Sequence, residues 1–261
     1  MLQLHHTTLG AGEPLVMLHG LLGSHQNLLP AARAFAGHFQ VFAVDQRNHG
    51  HSPHHEEMHY GALADDVARF LDQQGLAAAH VLGHSMGGKT AMQLALQHSD
   101  RVRKLVVVDM APRAYGARFD RLLRALHDLR PERFATRHEA DQALTAAVPE
   151  TALRQFLLKN LMPGEHGGYR WRIHLDGIAA NYDRLREAVR GDTPFAGETL
   201  FLLGGDSDYV SAADRPQIQR LFPRVQFATI PGAGHWVHAE QPEAFANAVL
   251  HFLRARPGGL A

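Results

Sequence analysis

The chain has 261 residues, of which 45% are apolar and 20% charged, and its 26 basic side chains balance 26 acidic ones. That length and apolar content suit one large α/β domain with a substantial core and exclude disordered, fibrous and small disulfide-stapled classes, while the zero net charge gives no footprint for nucleic acid or an anionic membrane surface. No cysteine is present, which removes disulfides, thiolate nucleophiles and thiolate metal sites.

The amino terminus, Met1-Leu2-Gln3-Leu4-His5-His6-Thr7, has neither a basic start nor a long apolar core, and no apolar run is long enough to span a bilayer. No signal peptide or membrane span is expected, and the cytoplasm is the expected compartment. Residues 15–18 read as a buried strand running into the glycine-punctuated loop His19-Gly20-Leu21-Leu22-Gly23-Ser24. Residues 41–44 are the next buried strand. They lead into a polar, turn-rich loop in which Asp45, Arg47 and Ser52 are expected to bond to backbone and to one another, as scaffold. His55-Glu56-Glu57-Met58-His59 matches H-E-x-x-H, the spacing by which two histidines on one helical face bind zinc. Pro53 lies just before it, the apolar helical period begins only after it, and no glutamate follows until Glu132 to serve as a third ligand. The match therefore reads as a solvated, histidine-rich loop, and no metal is expected. Leu63, Val67, Phe70 and Leu71 then recur at helical spacing, with Gly75 at the carboxyl end.

Gly83-His84-Ser85-Met86-Gly87 is a G-x-S-x-G pentapeptide, with an apolar run before it and Ala91, Leu94 and Ala95 at helical spacing after it. That pattern predicts strand, sharp turn, helix. Glycines two residues to either side leave room for strand and helix to close around the serine, whose hydroxyl then stands clear of the sheet. Met86 opens the helix, so its N–H has no intrahelical partner and can face a developing negative charge. Ser85 is the candidate nucleophile, and Leu21, in the earlier His-Gly loop, stands where the second oxyanion donor is expected.

Residues 105–108 form the next parallel strand, and Asp109 follows at the sheet edge where open α/β sheets place their sites. From 113 to 195 the β-branched runs stop and arginine-rich amphipathic helices take over: Leu122, Leu123, Leu126 and Leu129, then residues 140–147, then 153–161. This predicts a helical cap inserted into a core made of residues 1–112 and 196–261. Residues 164–168 and 171–174 read as irregular, with Trp171 a packing residue. The sheet resumes at 199–203, before Asp206-Ser207-Asp208-Tyr209. A helix around 218–222 and a last strand at 225–230 follow. His235 lies in the glycine-rich loop beyond that strand, within reach of the serine as a general base. Residues 240–252 are expected to form a closing amphipathic helix. Leu22, His84, Met86, Phe119, Leu123 and Trp236 are expected wall residues by position.

The ordered set of His-Gly loop, G-H-S-M-G, aspartate and G-x-G-H resembles the α/β-hydrolase fold over nearly the whole chain: a mostly parallel sheet flanked by helices, with an inserted cap. More narrowly, DQRNHGHSP, GHSMGGK, VVVDMAP and GAGHWVHAE resemble the bacterial YbfF-type esterases and their mitochondrial abhydrolase relatives. The resemblance implies no metal or organic cofactor, and activity on small-molecule carboxylic esters or acyl thioesters. It implies Ser85 as nucleophile, His235 as general base, and the N–H groups of Leu21 and Met86 as the oxyanion hole. It places the orienting acid at Asp109, whereas the wider superfamily more often has one at the position of Asp208. Asp109 is preferred, Asp208 is the alternative and Asp206 a remote third. A dehalogenase of this fold would need an aspartate at position 85. A cofactor-free perhydrolase or C–C bond hydrolase could use the same residues, and a non-catalytic ligand-binding module would predict a broken set. Acyl length, leaving group and oligomeric state are not implied.

Overall fold

The computed structural model describes residues 2–255; residues 1 and 256–261, at the outer limits of the expected core, lie outside the described residues. In chain order it runs β1 (His6–Leu9), β2 (Glu13–Leu18), α1 (His25–Phe35), β3 (Phe39–Val44), α2 (Tyr60–Gln73), β4 (Ala79–His84), α3 (Met86–Gln97) and β5 (Val102–Val108). An inserted segment follows, with α4 (Asp120–Asp128), α5 (Arg137–Leu144), α6 (Thr151–Leu158), β6 (Leu161–Pro163), β7 (Tyr169–Trp171), α7 (Leu175–Ala180) and α8 (Tyr182–Arg186). Then come β8 (Glu198–Gly204), α9 (Arg215–Leu221), β9 (Val225–Ile230), α10 (Val237–Glu240) and α11 (Pro242–Arg254).

Seven strands make the main sheet in the order β1-β3-β2-β4-β5-β8-β9, parallel throughout except for the edge strand β1. The inner strands β3, β2, β4, β5 and β8 are buried at nearly every position because both faces are covered there. Val16, Leu18, Val81 and Val107 pack with α2 and α3 on one face, and their neighbours Leu15, Met17, Leu82 and Val106 pack with α1 and α11 on the other. From β2 the chain moves outward to β3, then returns to the other side of β2 to form β4. The order therefore reverses between β2 and β4, and a crevice opens beyond their carboxyl ends. The loops carrying Leu21 and Ser85 flank it.

Three local expectations are corrected, and one strand is added to those read from the sequence. His6–Leu9 is an antiparallel edge strand, half exposed and polar, without the apolar run that marks its neighbours. The irregular stretch expected around 164–168 is the turn of an antiparallel ribbon, β6 with β7, made possible by the left-handed backbone of Gly167 and Gly168. The helix expected to reach residue 161 stops at Leu158, and the closing helix breaks at Gln241, after which Pro242 opens α11. The inserted segment stands on the crevice: Leu123, Leu126, Leu157 and Ile178 form one apolar cluster with Leu22, Leu63 and Met86 of the core. Its two ends are joined where Val189 N–H donates to Pro112 and Tyr115 N–H donates to Arg186. Among the described residues no helix is long and apolar enough to cross a membrane.

The H-E-x-x-H stretch is not helical, so its histidines do not share a helical face. His59 caps α2, its Nδ1 accepting from Ala62 N–H, while His55 Nδ1 accepts from Glu57 N–H. In the loop after β3, Asp45 accepts from the N–H groups of His25 and His51, and the Ser52 hydroxyl donates to the Asp45 carbonyl. Arg47 turns away from both and pairs with buried Asp66 of α2. Because Arg47 is also buried, removing its carboxylate leaves an uncompensated charge in the core. Asp66→Ala is expected to lose about 3–5 kcal/mol of stability, read as the shift of the urea unfolding midpoint.

Candidate active site

Ser85 stands at the end of β4 with φ of +55°, a left-handed conformation that costs a non-glycine residue on the order of 1–3 kcal/mol. Its N–H donates to the Val108 carbonyl and its own carbonyl accepts from Lys89 N–H, so neighbouring strand and helix hold the bend from both sides. The flanking glycines serve space rather than backbone freedom. A Cβ on Gly83 would lie 2.0 Å from the Gly87 carbonyl oxygen, and one on Gly87 would lie 2.3 Å from that of Leu18.

Three side chains meet in a line at this bend. Ser85 Oγ lies 3.0 Å from His235 Nε2, and His235 Nδ1 lies 2.8 Å from Asp109 Oδ2. A carboxylate only accepts, so the imidazole proton resides on Nδ1 and the Nε2 lone pair faces the serine. Asp109 is 1% exposed and itself left-handed at φ +50°; Gly204 N–H and the Ser207 hydroxyl also donate to it. The Tyr209 ring stacks on His235 at 3.6 Å and 12°, and His84 Nε2–H donates to the His235 carbonyl. Ser207 and Tyr209 were not singled out from sequence; their place directly after β8, on the same sheet edge, was the available signal. Asp208 is not part of this line. It is exposed and paired bidentately with Arg118, at 2.8 and 2.9 Å, and that guanidinium holds its carboxyl below the usual range. Asp206 is exposed as well.

The loop after β2 closes on the same point. A Cβ on Gly20 would come within 3.2 Å of Ser85 Cβ, and Leu21 and Ser85 together line two cavities. The first is walled by Leu28, Leu153 and Phe156, with Leu22, His84, Phe119 and Trp236 of the expected wall. The second is walled by Tyr60, Tyr115, Tyr182 and Tyr209, with Met86, Phe119 and the basic side chains of Lys89, Arg118 and Arg186. Leu123 lines neither and is buried in the apolar cluster beneath α4. Its neighbour Leu122 takes the wall position, because one residue turns a helix by about 100°. Lys89, one turn beyond Ser85, is enclosed by the Tyr60 and Tyr115 rings and donates to the Arg186 and Glu187 carbonyls; burial pushes its pKa down to about 7.

Away from this crevice, His5, His25 and Asp45 bring possible metal donors within 4.8 Å of one another. Each imidazole Nδ1 sits 3.0 Å from a carboxylate that already accepts two backbone N–H groups. Hydrogen bonding accounts for this hub, which fixes the start of α1 to the loop after β3. The crowding around Ser85 gives a direct test of the bend. Gly83→Ala is expected to lose at least about 3 kcal/mol, since backbone and not a movable side chain blocks the new methyl; Gly37→Ala, where the methyl meets nothing within 4 Å, is expected to stay within about 0.5 kcal/mol of the parent. Paired chemical melts measure both.

Residues 13–242 match the family model described as the alpha/beta hydrolase fold. Mouse sn-1-specific diacylglycerol lipase ABHD11 is 43% identical over 248 residues, an alignment covering 92% of this chain and 80% of that protein. Esterase YbfF of Escherichia coli strain K12 is 37% identical over 245 residues, covering 92% of this chain and 93% of its own length. Among solved structures, a marine microorganism esterase superposes with a TM-score of 0.94 at 41% identity, covering 97% of this chain and 100% of that one. With sheet order, bend and matched span in agreement, the chain belongs to the alpha/beta hydrolase fold family.

Proposed function

We propose that this chain is a serine hydrolase of carboxylic esters, with acyl thioesters as a second leaving-group class, working through an acyl-enzyme on Ser85. The observation that carries the reading is the hydrogen-bonded line Ser85–His235–Asp109, at 3.0 and 2.8 Å. Relatives named as an esterase and a lipase, at 37% and 43% identity, support the same chemistry.

In this mechanism His235 Nε2 takes the proton of the Ser85 hydroxyl as Oγ attacks the acyl carbon. The negative charge that builds on the carbonyl oxygen meets the N–H groups of Leu21 and Met86, each such donor being worth roughly 10²- to 10³-fold in turnover. The imidazolium then gives its proton to the departing alcohol or thiol. Water, activated by the same imidazole, attacks the acyl-enzyme, and the acid is released. Asp109 keeps the proton on Nδ1 and stabilises the imidazolium, a role that asks for orientation rather than basicity. Residues 113–195 act as a cap over the crevice, and the two cavities that meet at Ser85 separate the acyl group from the leaving group.

Hydrolysis of p-nitrophenyl butyrate, with labelling by a fluorophosphonate, tests the roles. Ser85→Ala is expected to abolish both turnover and labelling in a protein that still folds. Asp109→Asn is expected to lower kcat by about 10⁴, as loss of the orienting carboxylate does in such sets. Asp208→Asn, at an exposed ion pair, is expected to stay within about threefold of the parent. A crippled Asp208→Asn beside an active Asp109→Asn would reverse the assignment of the acid.

A further inference from the structure

The turn that carries Leu21 is strained one residue further on. Leu22 has φ of +61°, in the region where a Cβ costs about 1–2 kcal/mol. It is the third residue of a turn closed by Gly23 N–H donating to the Gly20 carbonyl at 3.0 Å. Left-handed backbone at that position of a turn selects glycine, and another residue persists there only when its surroundings over-determine it.

Two buried side chains supply that constraint. Leu22 N–H donates to His49 Nε2 at 3.1 Å, and the Leu22 carbonyl accepts from Asn160 Nδ2 at 2.7 Å. His49 and Asn160 are 0% and 4% exposed. The first comes from the loop after β3; the second comes from the inserted segment, where its own carbonyl accepts from Arg172 N–H beside the ribbon. Strain at Leu22 would be relieved by flipping the 21–22 peptide. That flip would turn the Leu21 carbonyl onto His49 Nε2, lone pair against lone pair. His49 keeps its lone pair because Nδ1–H is committed to the Arg47 carbonyl and burial pushes the ring's pKa down to about 3. On the other side, releasing the Leu22 carbonyl would leave the Asn160 amide, a strong donor in an apolar setting, without its partner.

We propose that Asn160 is a positioning residue for the oxyanion donor at Leu21: by holding the Leu22 carbonyl against the fixed support of His49, the inserted segment completes a catalytic loop that belongs to the core. The proposal rests on the serine-hydrolase reading above and deepens it. The segment then does more than wall the cavities. Its seating sets the shape of the loop that receives the developing charge, so whatever lifts it lowers turnover as well as affinity.

The test is steady-state hydrolysis of p-nitrophenyl butyrate by the full chain carrying Asn160→Ala or Asn160→Asp, each alone and combined with Leu22→Gly. The aspartate is nearly isosteric and exchanges the donor for an acceptor, so it reports even where alanine fails to fold. Each single change is expected to lower kcat by about 10- to 100-fold with KM within about threefold, the pattern of an interaction made in the transition state. Glycine at 22 holds positive φ without a clamp but also removes a wall side chain, so Leu22→Gly alone is the reference for the double variants, and on that background losing the Asn160 amide is expected to cost less than about threefold in kcat. A residue that only stabilises the fold would lower the melting temperature and cost the same factor in kcat on the glycine background as on the parent's. Either kcat within about threefold of the parent in the folded Asn160 variants, or an equal loss of kcat on the parent and Leu22→Gly backgrounds, overturns the proposal. Failure of the parent to hydrolyse any ester, or undiminished activity in Ser85→Ala, would instead remove the hydrolase reading, and it shows before any Asn160 variant is compared.

Discussion

A buried carboxylate with all its partners in place is the interaction on which the rest of the crevice depends. Asp109 accepts from a backbone N–H of β8, from the Ser207 hydroxyl and from the imidazole of His235. Its charge is tolerated at 1% exposure because these donors replace water. The arrangement joins β5, β8 and the loop after β9, three neighbours in the sheet. Parallel strand order thus becomes side-chain geometry. Once β4, β5, β8 and β9 lie side by side, their carboxyl ends bring serine, aspartate and histidine to one edge, and Tyr209 and His84 remove the remaining freedom of the imidazole.

Strain is concentrated at the same edge. Among the described residues, five non-glycine positions have positive φ, and three of them, Leu22, Ser85 and Asp109, line or adjoin the crevice. Each follows closely on a parallel strand of the sheet, where the chain must turn sharply to expose a polar group. The sheet supplies the rigidity that makes such turns bearable, and its two apolar faces supply the sheet.

The sequence disclosed what depends on short-range pattern. β2 to β5 and β8 were legible as apolar runs because both faces of the inner sheet are covered, β9 was legible as a short run ending at Pro231-Gly232, and the bend at Ser85 was legible because its glycines are spaced by local geometry. β1 was invisible: a half-exposed edge strand of four residues has no apolar run to show. The ribbon in the inserted segment was invisible as well, since three-residue strands cannot display alternation. Choosing between Asp109 and Asp208 required reach across the sheet, which spacing does not encode; the salt bridge of Asp208 with Arg118 lies outside any motif. Leu123 was misplaced by one helical step. Asn160 gave no signal at all, because its partner Leu22 is 138 residues away and a lone asparagine at the end of a helix reads as an ordinary terminator.

The neck of the inserted segment has a consequence for how such chains diversify. Residues 112–115 and 186–189 run close enough to exchange backbone hydrogen bonds, so the segment leaves and re-enters the sheet at almost one point. It can be lengthened, shortened or exchanged for another cassette without disturbing strand register, and new cavity walls can be tried while the bend at Ser85 is kept. The amide that reaches the Leu22 carbonyl limits that freedom: a grafted segment that brings no donor to that place keeps the bend at Ser85 but leaves the Leu22 carbonyl without its side-chain partner.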